Sequence, residues 1–320
     1  MCKTSLAKVA PANGFFYIAA SEDGTTGHPT KLMANSLNDR PVLKMNGIGN
    51  EILVLDLRGS DAMVAGEAAR AIAADPRLRF DQLMALHEPR SPGAAAFMRI
   101  YNADGSLSSA CGNGARCVAW ALARNGEGDE LLLETDAGVI GARRVRENMF
   151  AVDMGRPRLG WKEIPLSHEE PDTSDIALVP AVPMAPAHFS AVSMGNPHAI
   201  FFVEDARAID LATLGPALER HPMFPQRANI SFAEILGGEA ILLRVWERGT
   251  GATKACGSAA CAALVASART ERTGRRAVVN LPGGELLIEW RDDDHVLMTG
   301  PVEFEFDATL DPRLFKDVAA

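Results

Sequence analysis

Two stretches of this chain, separated by close to half its length, repeat each other, and that duplication narrows the fold to a pair of related units. The first is Ser109-Ala110-Cys111-Gly112-Asn113-Gly114-Ala115-Arg116-Cys117; the second is Lys254-Ala255-Cys256-Gly257-Ser258-Ala259-Ala260-Cys261. Cys111 and Cys256 stand 145 positions apart. At nearly the same offset Gly49-Asn50 matches Gly195-Asn196, and Arg99-Ile100-Tyr101-Asn102 matches Arg244-Val245-Trp246-Glu247. Gly138 matches Gly283, and Gly155 matches Gly300. A period of this size implies two duplicated domains rather than a solenoid of short repeats. Two equivalent thiols at two equivalent positions point to one site built from two halves.

Each cysteine opens an apolar run with glycine and small polar residues, the pattern of a helix start. The runs predict helices from about Gly114 to Arg124 and from about Ser258 to Thr270. Both are apolar on almost every face, so both must be buried. Around them the chain reads as short strands bounded by turn residues: Val42 to Met45, Ile52 to Leu57, Phe97 to Tyr101, Leu131 to Thr135, Met149 to Met154 and their second-half partners. The expected architecture is of the α+β type within the broad α/β class. It has two pseudo-symmetric domains, each a curled, mainly antiparallel sheet wrapped as a small barrel around one central helix, with the site in the cleft between them.

The expected boundaries are residues 41–157 plus 302–315 for the first domain and 158–301 for the second. The Pro-rich stretch Gly155 to Pro186 reads as the connection. Residues 1–40, with Gly-Thr-Thr-Gly and little periodicity, read as a disordered extension that precedes the first repeat.

Composition excludes several classes. A net charge of −9 argues against a nucleic-acid partner. No run of about 18 apolar residues suggests a membrane span. Five cysteines do not make the even-numbered framework of a small secreted protein, so reduced thiols in a cytoplasmic protein are the expectation.

The chemistry is carried by the two leading cysteines. The reactive form of cysteine is the thiolate, and a helix N-terminus favours that anion. The glycines beside each cysteine let backbone N–H groups cradle a substrate carboxylate. Facing thiols could then remove a proton from one side of a carbon and deliver one to the other, inverting a stereocentre. Packing explains Cys117 and Cys261, which lie inside the helices. A zinc site is disfavoured because the cysteines are separated by five and four residues, not two. A Cys–His nucleophile using His198 would leave the second cysteine unexplained. No phosphate loop, dinucleotide fingerprint or Schiff-base lysine context appears, so no cofactor is expected. Glu247-Arg248 together could hold the ammonium and carboxylate of an amino acid.

These residues resemble the diaminopimelate epimerase family. The resemblance rests on Met45-Asn46-Gly47-Ile48-Gly49-Asn50, Tyr101-Asn102-Ala103-Asp104-Gly105, Ala110 to Cys117, Met194-Gly195-Asn196-Pro197-His198, and Trp246-Glu247-Arg248-Gly249 through Ser258. It implies a cofactor-independent epimerase interconverting LL- and meso-2,6-diaminopimelate. Cys111 and Cys256 are then its two acid/bases, described in that family as donor and acceptor respectively. It implies substrate contacts from Asn50, Gln82, Asn102, Gly112, Asn113, Asn196, Asn229, Glu247, Arg248, Gly257 and Ser258, with His198 and Glu247 assisting at the reacting carbon. A homodimer is implied as well. The family often has His where Asn46 stands and Asp-Phe where Glu51-Ile52 stand. Proline racemase and hydroxyproline epimerase share the paired cysteines, but their first motif reads Cys-Gly-His-Gly. A non-catalytic amino-acid-binding relative would be expected to have lost one of the two cysteines.

Overall fold

The computed structural model describes residues 36–316 and 318. The first half supplies β1 (Pro41–Asn46), β2 (Glu51–Asp56), β3 (Gln82–His87), β4 (Ala96–Asn102), β5 (Leu107–Ser108), β6 (Glu130–Thr135), β7 (Gly138–Arg146) and β8 (Met149–Asp153). The second supplies β9 (Ile176–Ala177), β10 (His188–Ser193), β11 (Pro197–Phe202), β12 (Asn229–Gly237), β13 (Ala240–Glu247), β14 (Gly251–Thr253), β15 (Arg276–Leu281), β16 (Gly284–Trp290) and β17 (Val296–Pro301). A last strand, β18 (Glu303–Thr309), returns to pair with β1. Four α-helices are present among the described residues, α1 (Gly66–Ala74), α2 (Gly112–Arg124), α3 (Leu211–Glu219) and α4 (Gly257–Arg269), with a short 3-10 helix at Pro312–Phe315.

Strand pairing repeats the duplication. β1 lies antiparallel to β2, β2 parallel to β3, β3 antiparallel to β4, and β4 parallel to β6. The same relations hold for β10 to β11, β11 to β12, β12 to β13, and β13 to β15. Each parallel pair needs a crossover, and the four helices supply them. Each half curls its sheet around one central helix, and the two curled sheets share an edge. β8 pairs antiparallel with β17, Ala151 opposite Thr299, and joins them into one continuous sheet. Hydrogen bonding at that shared edge satisfies backbone groups that two free-standing sheets would leave open.

The central helices are placed as their composition demands. Residues Ala259 to Ser267 of α4 are all buried, and α4 touches β10, β11, β12, β13, β15, β16 and β17. On α2, Cys117, Val118 and Ala119 have no exposed surface, and Ala121 and Leu122 almost none. Both helices begin slightly earlier than the apolar runs suggest, at Gly112 and Gly257, because each cysteine is itself the N-cap.

The outer faces of the sheets are covered too. α1 packs Ala68, Ala69 and Ile72 with Leu53, Leu55 and Leu83. α3 joins Phe189, Phe201 and Phe232. Sheets covered on both sides carry near-continuous apolar strands, and β2 and β3 each bury four consecutive residues.

Within the connection Gly155 to Pro186, Ile164, Leu166, Ile176 and Leu178 are buried in the outer core of the second half. Of the expected extension 1–40, residues 1–35 lie outside the described residues, but residues 36–40 pack on the body. Leu37 is fully buried, and the backbones of Asp39 and Arg40 bond to Leu310. Leu37→Ala should therefore lower unfolding free energy by about 2–5 kcal/mol, the range for a buried leucine. A urea titration with an unchanged midpoint would show that this turn contributes nothing.

Candidate active site

Cys111 and Cys256 adopt the same backbone at the same place in each half. Both are helix N-caps in the extended region, with φ −151° and ψ 105° for Cys111 and φ −133° and ψ 104° for Cys256. An N-cap faces backbone N–H groups that the helix leaves unpaired. The Gly114 N–H donates to Cys111 Sγ at 3.2 Å. Cys256 Sγ lies 3.6 Å from Ser258 Oγ.

The two helix starts meet. A Cβ added to Gly112 would come within 2.5 Å of Met298 Cε, and one added to Gly257 within 2.7 Å of Met298 Sδ. The Asn113 side-chain oxygen would stand 3.5 Å from that second Cβ. One methionine on β17 thus lies against both glycines, and Met154 packs against the cores of both halves. The missing Cβ atoms at Gly112 and Gly257 leave the room that Met298 occupies between the helix starts.

Glu247 stands at the end of β13, half-buried, and accepts a hydrogen bond from Thr253 Oγ1 at 2.6 Å. Burial pushes its carboxyl above the ordinary range. Burial pushes Cys111 up to about 11, with the Gly114 N–H and the Arg116 charge opposing and Glu247 adding to the rise. Cys256 is also raised, by burial first and then by Glu247. One carboxylate therefore acts on both thiols.

Around Cys256, Asn196 Nδ2 donates to Ser258 Oγ at 3.3 Å, and Asn196 Oδ1 lies 3.0 Å from His198 Nε2. His198 is fully buried at the head of β11, and its Nδ1 has no partner. Asn229, opposite it on β12, accepts from the Arg248 backbone N–H at 2.9 Å and donates to the Pro197 carbonyl at 3.1 Å. Its amide ties two loops of the site together. In the other half, Gln82 donates to Asn102 Oδ1 at 3.1 Å across paired strands, and the Asn50 side-chain oxygen is buried without a partner.

Glu247 and Arg248, neighbours in sequence, separate in space. Glu247 joins the thiols, whereas the Arg248 guanidinium is exposed and donates to the Gln226 carbonyl at 3.0 Å. Met298, Met154 and Thr253 were not singled out from the sequence. Met298 and Met154 carry no local signal, because only tertiary folding brings them under the helix starts. Among the described residues, no group of three or more His, Cys, Asp or Glu could hold a metal ion, and no helix is long and apolar enough to cross a membrane.

Residues 42–160 and 190–305 match the profile described as diaminopimelate epimerase. This chain belongs to the diaminopimelate epimerase family. It is 62% identical over 289 residues to the diaminopimelate epimerase of Methylocella silvestris, covering 89% of this chain and 100% of the relative. With that of Methylobacterium sp. (strain 4-46) it shares 58% identity, over 88% of this chain and 99% of the relative. The fold is similar to that of a predicted epimerase from Pseudomonas aeruginosa, with TM-score 0.61 and 19% identity over 85% of this chain and 99% of the other. It is also similar to that of a hydroxyproline epimerase from Agrobacterium vitis, with TM-score 0.59 and 16% identity over 85% and 91%. Membership of the diaminopimelate epimerase family makes the chain an isomerase.

His198 offers a test of the closed site. Burial, with the Arg248 charge adding to it, lowers its pKa to about 3. The folded protein therefore keeps a neutral imidazole where the unfolded chain binds a proton. Stability contributed by this residue is complete above its unfolded pKa of about 6.5 and is lost as pH falls toward about 3. The His198 ring signals should not titrate between about pH 5 and pH 8 in NMR. A midpoint near 6.5 would mean that the ring is open to water.

Proposed function

We propose that this chain interconverts LL-2,6-diaminopimelate and meso-2,6-diaminopimelate, with Cys111 and Cys256 exchanging protons with opposite faces of one α-carbon. The observation that carries this reading is the meeting, at one methionine, of two helix starts that are each capped by an equivalent cysteine. The naming of relatives up to 62% identical as diaminopimelate epimerases supports the substrate.

The thiolate on one side takes the α-hydrogen. The C–H electron pair stays with the substrate and spreads into its carboxylate. Backbone N–H groups at the starts of α2 and α4, beside Asn113 and Ser258, receive that developing charge. The thiol on the other side then gives its proton to the opposite face. No redox step or cofactor is required. Asn50, Gln82, Asn102, Asn196, Asn229 and Arg248 bind the substrate, while His198 and Glu247 serve the reacting centre. The same reading places the working units at 41–157 plus 302–315 and 158–301, in a cytoplasmic homodimer.

In D₂O, product formed from the LL isomer should carry deuterium at the inverted carbon from the first turnover, while recovered substrate stays largely unlabelled. Cys111→Ala and Cys256→Ala should each reduce turnover by roughly 10²–10⁴-fold or more, the usual size of an acid/base contribution. Early product that retains its hydrogen, or brisk inversion by either variant, would overturn the pairing.

Arg248→Lys should raise KM about ten- to hundredfold, since a lysine cannot reproduce a planar two-point grip on a carboxylate and a charge-assisted bond contributes about 1.5–3 kcal/mol. Steady-state kinetics with an unchanged KM would place Arg248 outside substrate binding.

A further inference from the structure

One buried carboxylate away from the thiols has three hydrogen-bond donors aimed at it. Glu219 is the last residue of α3, and its side chain is only 5% exposed. An acid there is doubly disfavoured. It is withdrawn from water, and it stands at the helix end whose unpaired carbonyls repel an anion. Its partners offset both costs. The Trp246 indole Nε1–H donates to Oε2 at 2.8 Å. The Gly249 backbone N–H donates to Oε1 at 3.1 Å, and Arg227 Nη1 donates to the same oxygen at 3.5 Å. Indole, backbone N–H and guanidinium can only donate, so both atoms of the group that faces them must accept, as a carboxylate's do.

Two of these donors bracket Glu247-Arg248. Trp246 precedes the pair and Gly249 follows it. The chain reverses at this point: the Thr250 N–H donates to the Glu247 carbonyl at 3.1 Å, with Gly249 at φ +77° in the third position of the turn. The Trp246 ring is pressed on α3, where a Cβ at Gly215 would stand 2.4 Å from Cδ2. Glu247 has further holds of its own, from Thr253 Oγ1 and from strand pairing with Gly251. Arg248 lies beyond the strand. Its backbone N–H donates to Asn229 and its guanidinium to the Gln226 carbonyl. Slack in the turn therefore reaches Arg248 before it reaches Glu247.

The duplication shows what this carboxylate accompanies. α1 covers Gly66–Ala74 and α3 covers Leu211–Glu219, again 145 positions apart. Glu219 then corresponds to Ala74, Trp246 to Tyr101, Glu247 to Asn102 and Arg248 to Ala103. In the first half Ala74 is exposed, and the Tyr101 hydroxyl donates to the Val64 carbonyl instead. The half whose turn carries no arginine has no carboxylate holding that turn. We propose that Glu219 is a positioning residue for substrate binding: it grips the Trp246–Gly249 turn from both flanks and so holds Arg248 where it meets a substrate carboxylate.

This role rests on Arg248 binding the substrate, so the test pairs kinetics with a readout that needs no turnover. Hydrogen exchange at the Gly249 amide is followed by NMR in the wild type, Glu219→Gln and Glu219→Ala. KM and kcat for the LL isomer are measured in the same proteins, in Arg248→Lys, and in Arg248→Lys combined with each Glu219 variant. Glu219→Ala should speed exchange at Gly249 about ten- to hundredfold, the size of losing a bond to a charged acceptor. It should raise KM about tenfold while kcat changes by less than about threefold, the pattern of lost binding common to ground and transition states. Glu219→Gln, with one acceptor oxygen for the two flanks, should fall between. A part that only supports the fold would act independently of Arg248. Positioning instead requires the KM of the double variant to stay well below the product of the two single effects. Unmoved Gly249 exchange, an unmoved KM, or KM effects that multiply, in folded Glu219→Ala, would each overturn the role. If Glu219→Ala does not fold, the same three comparisons in Glu219→Gln decide it. Wild-type protein that protects the Gly249 amide but does not interconvert the isomers would instead sink the proposed reaction.

Discussion

The structure depends on the close approach of two helix N-termini at a single methionine. Gly112 and Gly257 permit it, and Met298 fills the space between them. The pairing of β8 with β17 fixes it, since Met298 lies within that pair opposite Val152. Every other element works to hold the two helices in that relation. The curled sheets enclose them, α1 and α3 cover the sheets, and the small side chains of α4 let strands close in on all sides. A helix buried this completely cannot shift along its axis without opening voids in a close-packed interior. The positions of the two thiols are therefore set by packing rather than by the thiols' own bonds, which are long and few.

The electrostatics follow from the same approach. Helix starts present unpaired N–H groups and partial positive charge, so two of them facing one volume make it welcoming to an anion. Burial opposes ionisation of the thiols that guard the volume. Burial therefore favours the protonated form of both thiols. Glu247 raises both thiols and Arg116 opposes that rise at Cys111, although the backbone treats the two cysteines alike.

Much of this could be read from the chain before folding, and the reasons are specific. The duplication shows as matched glycines and cysteines because those residues tolerate little substitution where backbones touch. The apolar character of the runs after Cys111 and Cys256 requires burial, and inside a strand-rich unit burial means the middle of the sheet. Other parts were hidden for physical reasons. α1 is short, and its buried face is mostly alanine. α3 contains Pro216, which reads as a helix breaker. β8 and β17 pair edge to edge, a relation with no local signature. The turn at residues 36–40 reads as part of the disordered extension, and only the burial of Leu37 and the backbone bonds of Asp39 and Arg40 to Leu310 show otherwise. Motif and repeat mark the cysteines, their glycines, Asn196 and His198 in the sequence, and the structure sets Asn196 between His198 and Ser258. The separation of Glu247 from Arg248 was not, because it depends on how β13 ends.

The return of β18 to the edge beside β1 separates the two halves in time as well as in space. Strands β9 to β17 form one uninterrupted length of chain, so the second sheet can assemble as soon as that length is available. The first sheet cannot finish: its outer strand is made last, and Pro41 must wait for Thr309. Contacts between residues so far apart in sequence are slow to form, because a long loop must close before they gain anything. The half that carries Cys111 is thus begun first and completed last during synthesis. Until then it exposes an open strand edge, and the second half, with Cys256 already placed, stands ready as the template on which it closes.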